Sequence, residues 1–530
     1  MSTTQIPFKK TGFFSKTMID YLEKSEKLKS FYSNFSDIEG LQKQIEIKSK
    51  SYKPAFRTVL VNALKKQYNK LDTTEATQEN INSLLLESTF TVTTGHQLNL
   101  FTGPLYFLYK IFSTINLCEE LKSKNENQNF VPIYWMATED HDFDEINYFN
   151  FKGKKVQWNS EQTGGVGRFS TEGLKEVLEA FSEHLGSSKN AQYLINLFKE
   201  GYLEHNNLAD ATRFIANKLF GEYGLVIIDA DDRDLKEEFI PFVKRELLEQ
   251  VSFEKVTETI EELEKGYKVQ VNPREINLFY LTDGIRERII FEEGVYKVNN
   301  ADISWTKEEV LDHLDKKPEN FSPNVIMRPL YQEVILPNLC YIGGGGELAY
   351  WLQLKKYFDT VEVPFPVLLL RNSVQVLSEK QEKKLEKLDI SKEELFSKQN
   401  TLLKNKILNT SETKVDFTNQ KKFLQEQFNE LRKVANKTDV SFVGAVNAQE
   451  KKQLKGIENL ESRWLRAEKR RQKELVDRIT VLQNEILPNQ SLEERQRNFS
   501  EYYLEYGADF ISKLKDNLHP LALEFTIITL

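Results

Sequence analysis

Two segments about forty residues apart share one design: each begins as a short apolar run and ends in glycines or clustered polar side chains. They cover residues 93–106 and 133–147, and an amphipathic helical pattern separates them. Strand, helix and strand in this order predict a βαβ unit with two parallel strands. Because ligands of open α/β sheets bind outside the carboxyl ends of the strands, we expect both polar clusters in one site.

Further buried strands are predicted at residues 224–232, 339–342 and 367–370, where apolar runs end in polar or glycine-rich residues. Such runs are typical of parallel strands that are buried on both faces. Short strands and turns near residues 149–169 and 267–300 interrupt this pattern. The sequence therefore predicts an α/β fold, with a Rossmann-like core and inserted β segments.

The chain changes character from residue 374 to about residue 487, where Lys, Glu and Gln dominate and aromatic residues are few. Leu475, Ile479, Leu482 and Ile486 follow one another at spacings of four, three and four residues, the rhythm of a coiled coil. Gly444 is expected to mark the break between two long antiparallel helices. We expect this arm to pair two copies of the chain into a homodimer, because paired heptad helices commonly do so.

The composition argues against nucleic-acid and membrane partners. The 530 residues carry a net charge of −8, so nothing indicates a general surface for polyanions. No apolar run approaches the roughly 20 residues of a membrane span, and the first residues lack a signal-peptide pattern. A cytoplasmic protein of several domains is therefore expected. Cys118 and Cys340 lack metal-ligand spacing and are expected to be buried apolar residues.

The first polar cluster contains Gly95, His96 and Gln97, and it is followed by Thr102 and Gly103 at the start of the predicted helix. A glycine lets the backbone approach a ligand closely, and free N–H groups at a helix start favour a phosphate or carboxylate. His96 is suited to bind phosphate oxygens or to move a proton. The alternative is that Gly103 only caps the helix, but the position at a strand end favours a functional role.

The second polar cluster, residues 139–145, holds five carboxylates around one histidine. Asp140, His141 and Asp142 are its catalytic candidates, either orienting or deprotonating a substrate amine or binding a metal ion. The His-Glu-x-x-His spacing of zinc hydrolases is missing, so no metal ligand is assigned. The alternative for Asp142 is a helix N-cap. If Asp142 is catalytic, Asp142→Asn should abolish product formation while the fold stays intact.

A third cluster is the run of four glycines at residues 343–346, followed by Glu347. Gly344 and Gly345 would let a sugar or phosphate lie against the backbone, and Glu347 would hydrogen-bond a hydroxyl. No Gly-Lys-Ser/Thr follows, so the run is not a P-loop. Arg328 and Gln332 are expected to reach the same crevice, with Arg328 binding a carboxylate. A surface salt bridge is the equal alternative for Arg328.

Residues 95–97, 102–106, 139–147 and 343–351 together resemble the bacillithiol synthase family, the cysteine-adding enzymes of bacillithiol biosynthesis. The resemblance covers essentially the whole chain, and the acidic cluster is its most specific element. It implies a nucleotidyltransferase-type Rossmann-like core, a connective insertion and a long antiparallel coiled-coil arm that pairs two subunits. It also implies a ligase that joins the carboxyl of L-cysteine to the amine of glucosaminyl-malate.

The resemblance further implies how the reaction is driven. Amide formation from a free carboxylate is uphill in water, so ATP or ADP and Mg²⁺ are expected as cofactors by analogy at the level of the fold. No tightly bound organic cofactor is expected. The family often carries glutamine where His96 stands, so a simple essential role for His96 does not follow. A second nucleotide pocket is implied, with Asn372, Ser373, Tyr502 and Tyr506 as its candidates by position.

The predicted division of the chain follows from these segments. Residues 1–148 hold N-terminal helices and the first half of the core, 149–205 and 266–322 the two parts of the insertion, 206–265 and 323–373 the rest of the core, 374–488 the arm, and 489–530 a segment packing back on the core. Two other functions stay open at this point. One is a metal-dependent hydrolase that uses residues 139–145, and the other is a coiled-coil scaffold without enzymatic activity.

Overall fold

The structure is a computed structural model that describes residues 2–411 and 417–530. The chain forms two compact units. The first unit comprises Phe13–Gln375 and Leu492–Ile528 together with the N-terminal residues up to Lys9, and the second comprises Val376–Ser491 with two short terminal pieces. Residues 412–416 of the predicted arm lie outside the described residues.

The first unit is built around five parallel strands, here called the central sheet. Numbered along the chain, the strands lie in the order 5-4-1-2-3, which is the Rossmann order. Their continuous apolar and β-branched runs are almost completely buried, as expected for parallel strands. This confirms the predicted α/β class and Rossmann-like core. In spatial order the strands are Val367–Leu370, Asn338–Gly343, Thr89–His96, Asn129–Met136 and Val226–Asp229.

The strand order changes direction between Thr89–His96 and Asn338–Gly343, and ligand crevices of such sheets form at this switch point. The helix Tyr106–Lys124 joins the first two strands, which pair so that His96 lies beside Met136. The polar clusters that follow both strands therefore lie at the same edge of the sheet, as the βαβ pattern predicts.

An antiparallel sheet of five short strands, here called the insertion sheet, forms most of the inserted β structure. The expected turn after Gly164 leads into a short 3₁₀ helix at Val166–Arg168 rather than a strand, because the chain reverses at Gly164, whose φ of +100° favours glycine. In spatial order the insertion-sheet strands are Ser304–Trp305, Val295–Val298, Ile285–Glu292, Leu278–Thr282 and Phe321–Pro323, and a separate hairpin pairs Tyr148–Phe151 with Lys154–Gln157.

Helices connect the strands of the first unit, and capping side chains fix where several begin. Ser188 accepts a hydrogen bond from the Ala191 N–H, and Asn207 accepts one from the Asp210 N–H. The helices are Phe8–Thr11, Lys16–Leu22, Ile38–Ser51, Pro54–Tyr68, Glu75–Ser83, Tyr106–Lys124, Phe143–Ile146, Leu174–Ser182, Lys189–Leu203, Leu208–Phe220, Arg233–Glu237, Ile240–Glu249, Val251–Leu263, Lys307–Lys316, Arg328–Ile335, Gly345–Trp351, Lys355–Thr360, Phe499–Tyr506 and Ala508–Asn517.

Two further features complete the first unit. The N-terminal region, expected to be helical, also contains the strand Ser2–Ile6, which lies next to Phe525–Thr529 in a small sheet. Cys118 and Cys340 are free and lie buried in the apolar core of the central sheet, as expected. Burial raises the pKa of both thiols, so they are unreactive apolar residues.

The second unit is helical, which confirms the predicted coiled-coil region. Gly444 lies within the helix Val440–Arg471, so the expectation of a break there was wrong. The break falls before Val440 instead, where the Asp439 side chain accepts hydrogen bonds from two backbone N–H groups and begins the helix. The strand Val374–Leu377 leads into this region, and its helices are Glu379–Lys387, Gln399–Thr410, Thr418–Ala435, Val440–Arg471 and Lys473–Ile486.

The repeat predicted near the end of the arm has the expected burial. Ile479, Leu482 and Ile486 are buried in Lys473–Ile486, and Leu475 is half-buried. Within the described ranges 2–411 and 417–530, no helix is both long and apolar enough to cross a bilayer.

Candidate functional site

A cavity of about 340 Å³, here called the main cavity, opens at the carboxyl ends of the central strands. It is lined by residues that follow the first two strands, by the helices Tyr106–Lys124 and Arg328–Ile335, and by the insertion strand Ile285–Glu292. The predicted site residues that line it are Gly95, His96, Gln97, Asp140, Arg328 and Glu347. Lining residues that the sequence analysis did not select include Tyr106, Lys110, Glu139, Arg286, Tyr341 and Tyr350.

Asp140 is held in place by hydrogen bonds from both polar clusters. Its Oδ2 accepts one from Gln97 Nε2 at 3.0 Å, and its Oδ1 accepts one from the backbone N–H of His141 at 2.8 Å. Burial alone would raise the pKa of Asp140, but the hydrogen bonds from His141 and Gln97 outweigh burial and hold the pKa below its usual range. Asp140 is therefore ionised at neutral pH and suited to bind a cationic amine.

Glu139 belongs to a buried network of paired charges next to Asp140. Its Oε1 lies 2.5 Å from Lys236 Nζ, and the same ammonium lies 3.5 Å from Asp231 Oδ1. Arg168 donates to Asp231 from Nε at 2.7 Å and from Nη2 at 3.0 Å. Burial raises the pKa of Glu139, although Lys236 opposes the shift. Glu139 is thus a cavity carboxyl that holds a proton more readily than Asp140.

Arg328 brings a positive charge to the main cavity, where Glu347 attracts it without forming an ion pair. Its Nη1 donates to Gln332 Oε1 and its Nη2 to the Tyr350 hydroxyl, each at 3.2 Å. Its guanidinium carbon lies 5.6 Å from the centroid of the Tyr341 ring. No carboxylate of the described residues forms an ion pair with it. Such a guanidinium fits a ligand carboxylate, as the sequence analysis expects.

Lys110 and Glu347 form a pair that lines the cavity. Lys110 Nζ lies 2.5 Å from Glu347 Oε1 and donates to the Gly95 carbonyl at 2.7 Å, while Glu347 Oε2 accepts from the Tyr341 hydroxyl at 2.8 Å. Burial lowers the pKa of Lys110, and Glu347 opposes the shift. A Cβ on Gly95 would come within 3.0 Å of the Tyr341 hydroxyl, so a side chain there would crowd the site.

His96 lines both the main cavity and a small cavity of about 10 Å³. Burial, with Lys110 and Arg371 adding to it, lowers the pKa of His96 well below its usual value. The imidazole is therefore neutral, and its Nε2 has no hydrogen-bond partner among the described atoms. The small cavity has the size of one water molecule. It is also lined by Asn99, Thr102 and Thr212, each with a buried oxygen that lacks a described partner.

Thr102 and Gly103 do not line the main cavity, and an anion site at these residues stays a prediction. Phe101, Thr102 and Gly103 adopt φ angles of +48°, +69° and +63°, and Asn498 Nδ2 donates to the carbonyls of Phe101 and Gly103. The helix begins only at Tyr106. The C-terminal segment thus holds this turn.

Asp142 also lies outside the main cavity. The second strand ends at Met136, and residues 139–142 form neither helix nor strand. The Asp142 side chain is exposed, and it makes no capping hydrogen bond to the short helix that follows it. His141 is half exposed, and its Nδ1 lies 2.6 Å from Arg286 Nη1. Asp140 is the member of this trio that lines the cavity.

Gln332, Gly344 and Gly345 support the site from outside its surface. Gln332 is fully buried and accepts from Arg328, so it positions the guanidinium rather than touching a ligand. Gly344 precedes the helix Gly345–Trp351. A Cβ on Gly345 would come within 2.9 Å of Met18 Cγ, so this glycine permits close packing against another helix rather than ligand contact.

The four candidates for a second nucleotide pocket do not line the main cavity, and their known partners are internal. Asn372 Oδ1 accepts from Ser113 at 2.9 Å, and the Ser373 hydroxyl donates to Glu494 Oε1 at 3.3 Å. The Tyr502 hydroxyl donates to Glu493 at 2.6 Å, and Tyr506 is half-buried. A nucleotide site at Asn372, Ser373, Tyr502 and Tyr506 stays a prediction.

The sequence analysis missed several cavity residues, and only some of them have a signal in the sequence that could have identified them. Lys110 is a cation within an otherwise largely apolar helix, and that misfit is a sequence signal. Arg286 lies in an insertion strand and carries no such signal, because only the tertiary packing brings it to the cavity. No group of three or more His, Cys, Asp or Glu side chains in the described ranges is arranged to hold a metal ion.

The central sheet, the cavity at its switch point and the helical second unit define a Rossmann-like protein with a coiled-coil region. Residues 1–372 match the family description "Bacillithiol biosynthesis BshC, N-terminal Rossmann-like domain". Residues 374–530 match "Bacillithiol biosynthesis BshC, C-terminal coiled-coil domain". The chain therefore belongs to the bacillithiol biosynthesis BshC family, which confirms the resemblance found in its motifs.

Curated relatives extend over the same length. A protein of Flavobacterium johnsoniae named "Putative cysteine ligase BshC" is 57% identical, with 100% of both chains covered. One of Flavobacterium psychrophilum with the same name is 58% identical, covering 100% of this chain and 99% of its own. The chain is thus a member of a family of enzymes named as ligases. A solved structure titled as a putative arginyl tRNA synthetase from Campylobacter jejuni aligns with 11% identity and a TM-score of 0.20, covering 87% of this chain and 97% of its own, and a score this low supports no argument.

Proposed function

We propose that this protein is a ligase that joins the carboxyl group of L-cysteine to the amine of glucosaminyl-malate and so forms the amide of bacillithiol. The observation that carries the proposal is the division of charge in the main cavity. Arg328 offers a cation that forms no ion pair with a described carboxylate, and Asp140 offers an ionised carboxylate. An acceptor that has both carboxylates and an amine matches both features.

In this proposal Arg328 binds a carboxylate of the malyl group through charge-assisted hydrogen bonds. Glu347, which already accepts from Tyr341, takes a sugar hydroxyl. Asp140 binds the acceptor amine as an ammonium and orients it. Glu139 is better suited to take the proton that the amine must lose, because burial raises its pKa.

The amide bond needs an activated carboxyl group, because condensation of free cysteine with an amine releases water and is uphill in aqueous solution. ATP with Mg²⁺ is the proposed activator. It would convert the cysteine carboxylate into an acyl phosphate with release of ADP, or into an acyl adenylate with release of pyrophosphate. Phosphate or AMP then leaves when the amine attacks the acyl carbon. The protein's part is to bind the anionic groups and to exclude water.

The decisive experiment incubates purified protein with glucosaminyl-malate and L-cysteine, with and without ATP and Mg²⁺, and detects bacillithiol by mass spectrometry. Product that depends on ATP is the expected result. Product without ATP would contradict the activation step and leave the ligation intact. No product under any of these conditions, with folded protein, would contradict the proposed reaction.

We also propose that two copies pair through the second unit, in the cytoplasm. Large apolar side chains on its helices are exposed, with Phe423 62%, Leu460 55% and Val440 88% accessible. Light scattering should then give twice the mass of the 61.9 kDa chain. A full-length protein that stays monomeric at micromolar concentration would contradict pairing. No observation in the described residues favours the hydrolase or the scaffold.

A further inference from the structure

Buried cations of the first unit are mostly neutralised by the protein itself. Lys48 lies 3.3 Å from a Glu333 oxygen, and Lys236 lies 2.5 Å from Glu139. Arg286 differs, because it forms no ion pair with any described carboxylate although it lines the main cavity. A desolvated cation that is not paired with a carboxylate is costly, so its presence in a cavity calls for an explanation.

The guanidinium of Arg286 is nevertheless firmly placed. Its carbon lies 4.0 Å from the centroid of the Phe279 ring, and its Nη1 lies 2.6 Å from His141 Nδ1. Because arginine only donates, His141 Nδ1 is the acceptor in this contact. Stacking and one hydrogen bond fix the plane of the guanidinium and leave its other donors for a ligand.

One of those donors is already buried and unused. Arg286 Nε has no hydrogen-bond partner among the atoms of residues 2–411 and 417–530. Burial lowers the pKa of Arg286, against the attraction of Asp140 and Glu139. Asp140 and Glu139 attract the guanidinium but form no ion pair with it, so a ligand anion would complete its coordination.

Arg286 and Arg328 reach the cavity from different parts of the fold. Arg328 begins a helix that precedes a central strand, whereas Arg286 lies on the insertion strand Ile285–Glu292 and contacts the acidic cluster. Two separate arginines suit a reaction in which both the acceptor substrate and the activated acyl donor carry anionic groups. The acceptor carries malyl carboxylates, and the other side carries the cysteine carboxylate and the phosphates that activate it.

We propose that Arg286 is the anion-binding residue for the acyl-donor side of the reaction, where it binds the cysteine carboxylate or the phosphate of its activator. This rests on the proposed function and assigns donor recognition to the insertion sheet. Arg328 then serves the acceptor. A guanidinium fork binds the oxygens of a carboxylate and those of a phosphate alike. The experiment below is therefore designed to distinguish the two anions.

The test compares Arg286→Gln with Arg288→Gln, a matched control two residues further along the same strand that does not line the cavity. Apparent KM values are measured for L-cysteine, ATP and glucosaminyl-malate separately. Arg286→Gln should raise the KM of L-cysteine or of ATP at least tenfold and that of glucosaminyl-malate less than twofold. Arg286→Lys keeps the charge but loses the planar fork, so its KM for L-cysteine or ATP should lie between those of the wild type and Arg286→Gln.

Several outcomes would overturn this role. A rise only in the glucosaminyl-malate KM would place Arg286 on the acceptor side, and no change in any KM would leave it without a ligand. Titration calorimetry of L-cysteine and of ATP against each variant gives a readout besides turnover. If the wild type makes no product, the proposed function fails, while equal binding of both ligands to wild type and Arg286→Gln would separately refute the anion site. Circular dichroism checks that each variant is folded.

Discussion

Two groups of arginine residues in the first unit differ in whether a protein carboxylate forms an ion pair with them. In the first group, Arg371 pairs with Glu494 at 2.7 Å, and both side chains are almost fully inaccessible. In the second group, Arg328 and Arg286 line the main cavity beside neutral partners. Because burial penalises an unpaired charge, we expect loss of the first pairing to destabilise the fold, and we propose that ligands complete the second group. The comparison predicts that substitutions in the first group lower stability, whereas substitutions in the second group weaken substrate binding.

The largest expected effect is on stability, in Glu494→Gln. The variant leaves Arg371 buried with a neutral partner and weakens the acceptor of the Val374 N–H. Breaking one side of a buried pair typically costs about 3–5 kcal/mol of unfolding free energy. Urea denaturation measures this loss. Asp312→Asn, which breaks an exposed pair with Lys316, is the control and should change stability by less than about 1 kcal/mol.

If Glu494→Gln proved as stable as the control, the distinction between the two groups would fail at its strongest example. If Glu494→Gln weakened substrate binding and left stability unchanged, the distinction between the two groups would fail in the same way.

The sequence predicted the central sheet well, because parallel strands buried on both faces leave continuous apolar runs that are visible without the structure. The meeting of Gln97 and Asp140 followed from the strand ends alone, since parallel strands end at one edge. Gly444 misled the prediction because a glycine is tolerated inside an exposed helix at a cost of roughly 1 kcal/mol, so it need not mark a break.

The limits of the sequence reasoning at the site have a common physical cause. Asp142 was selected because it belongs to the acidic cluster, but the strand ends at Met136 and the Asp142 side chain is exposed. Arg286 was missed because its role depends on how the insertion sheet packs beside the acidic cluster. Local patterns predict which strands form, whereas contacts between distant segments depend on packing that no short pattern records.

The second prediction concerns Arg328→Gln and should show the opposite of Glu494→Gln. Removal of the guanidinium takes away charge-assisted hydrogen bonds worth roughly 1.5–3 kcal/mol each, so the KM of glucosaminyl-malate should rise about a hundredfold. Stability should change little, because no carboxylate among the described residues loses an ion pair. Steady-state kinetics and urea denaturation of the same preparation measure both. A large loss of stability with an unchanged KM would move Arg328 into the structural group.

The third prediction compares two neighbouring acids, Asp140 and Asp142. Asp140→Asn should lower kcat/KM about ten- to hundredfold, since an ionised carboxylate that orients an ammonium is lost. Asp142→Asn should stay within about twofold of the wild type, because its side chain is exposed outside the cavity. Measured kcat/KM values decide between them. A strong loss in Asp142→Asn with a mild one in Asp140→Asn would favour the assignment made from sequence alone.

The same Asp140→Asn variant also has an expected effect on acid stability. The pKa of Asp140 lies below its usual range in the folded protein, so the carboxylate stabilises the fold above about pH 4, the unfolded value. This contribution is lost as the pH falls toward the lower folded pKa. The unfolding free energy of the wild type should therefore fall more steeply below pH 4 than that of the variant. Parallel slopes in urea denaturation at several pH values would contradict the shift.

The smallest effect is expected for His96→Gln, which tests a cavity residue that carries no charge. The imidazole is neutral because burial lowers its pKa, and its Nε2 has no described partner, so the substitution removes neither an ion pair nor a hydrogen bond. We expect kcat/KM to change less than about threefold, with the same pH profile. A loss above tenfold together with a changed pH profile would give His96 a role in proton transfer. A neutral side chain needs no counter-charge from the protein or from a ligand. Its removal should therefore change neither the stability of the fold nor the binding of substrate to a large extent.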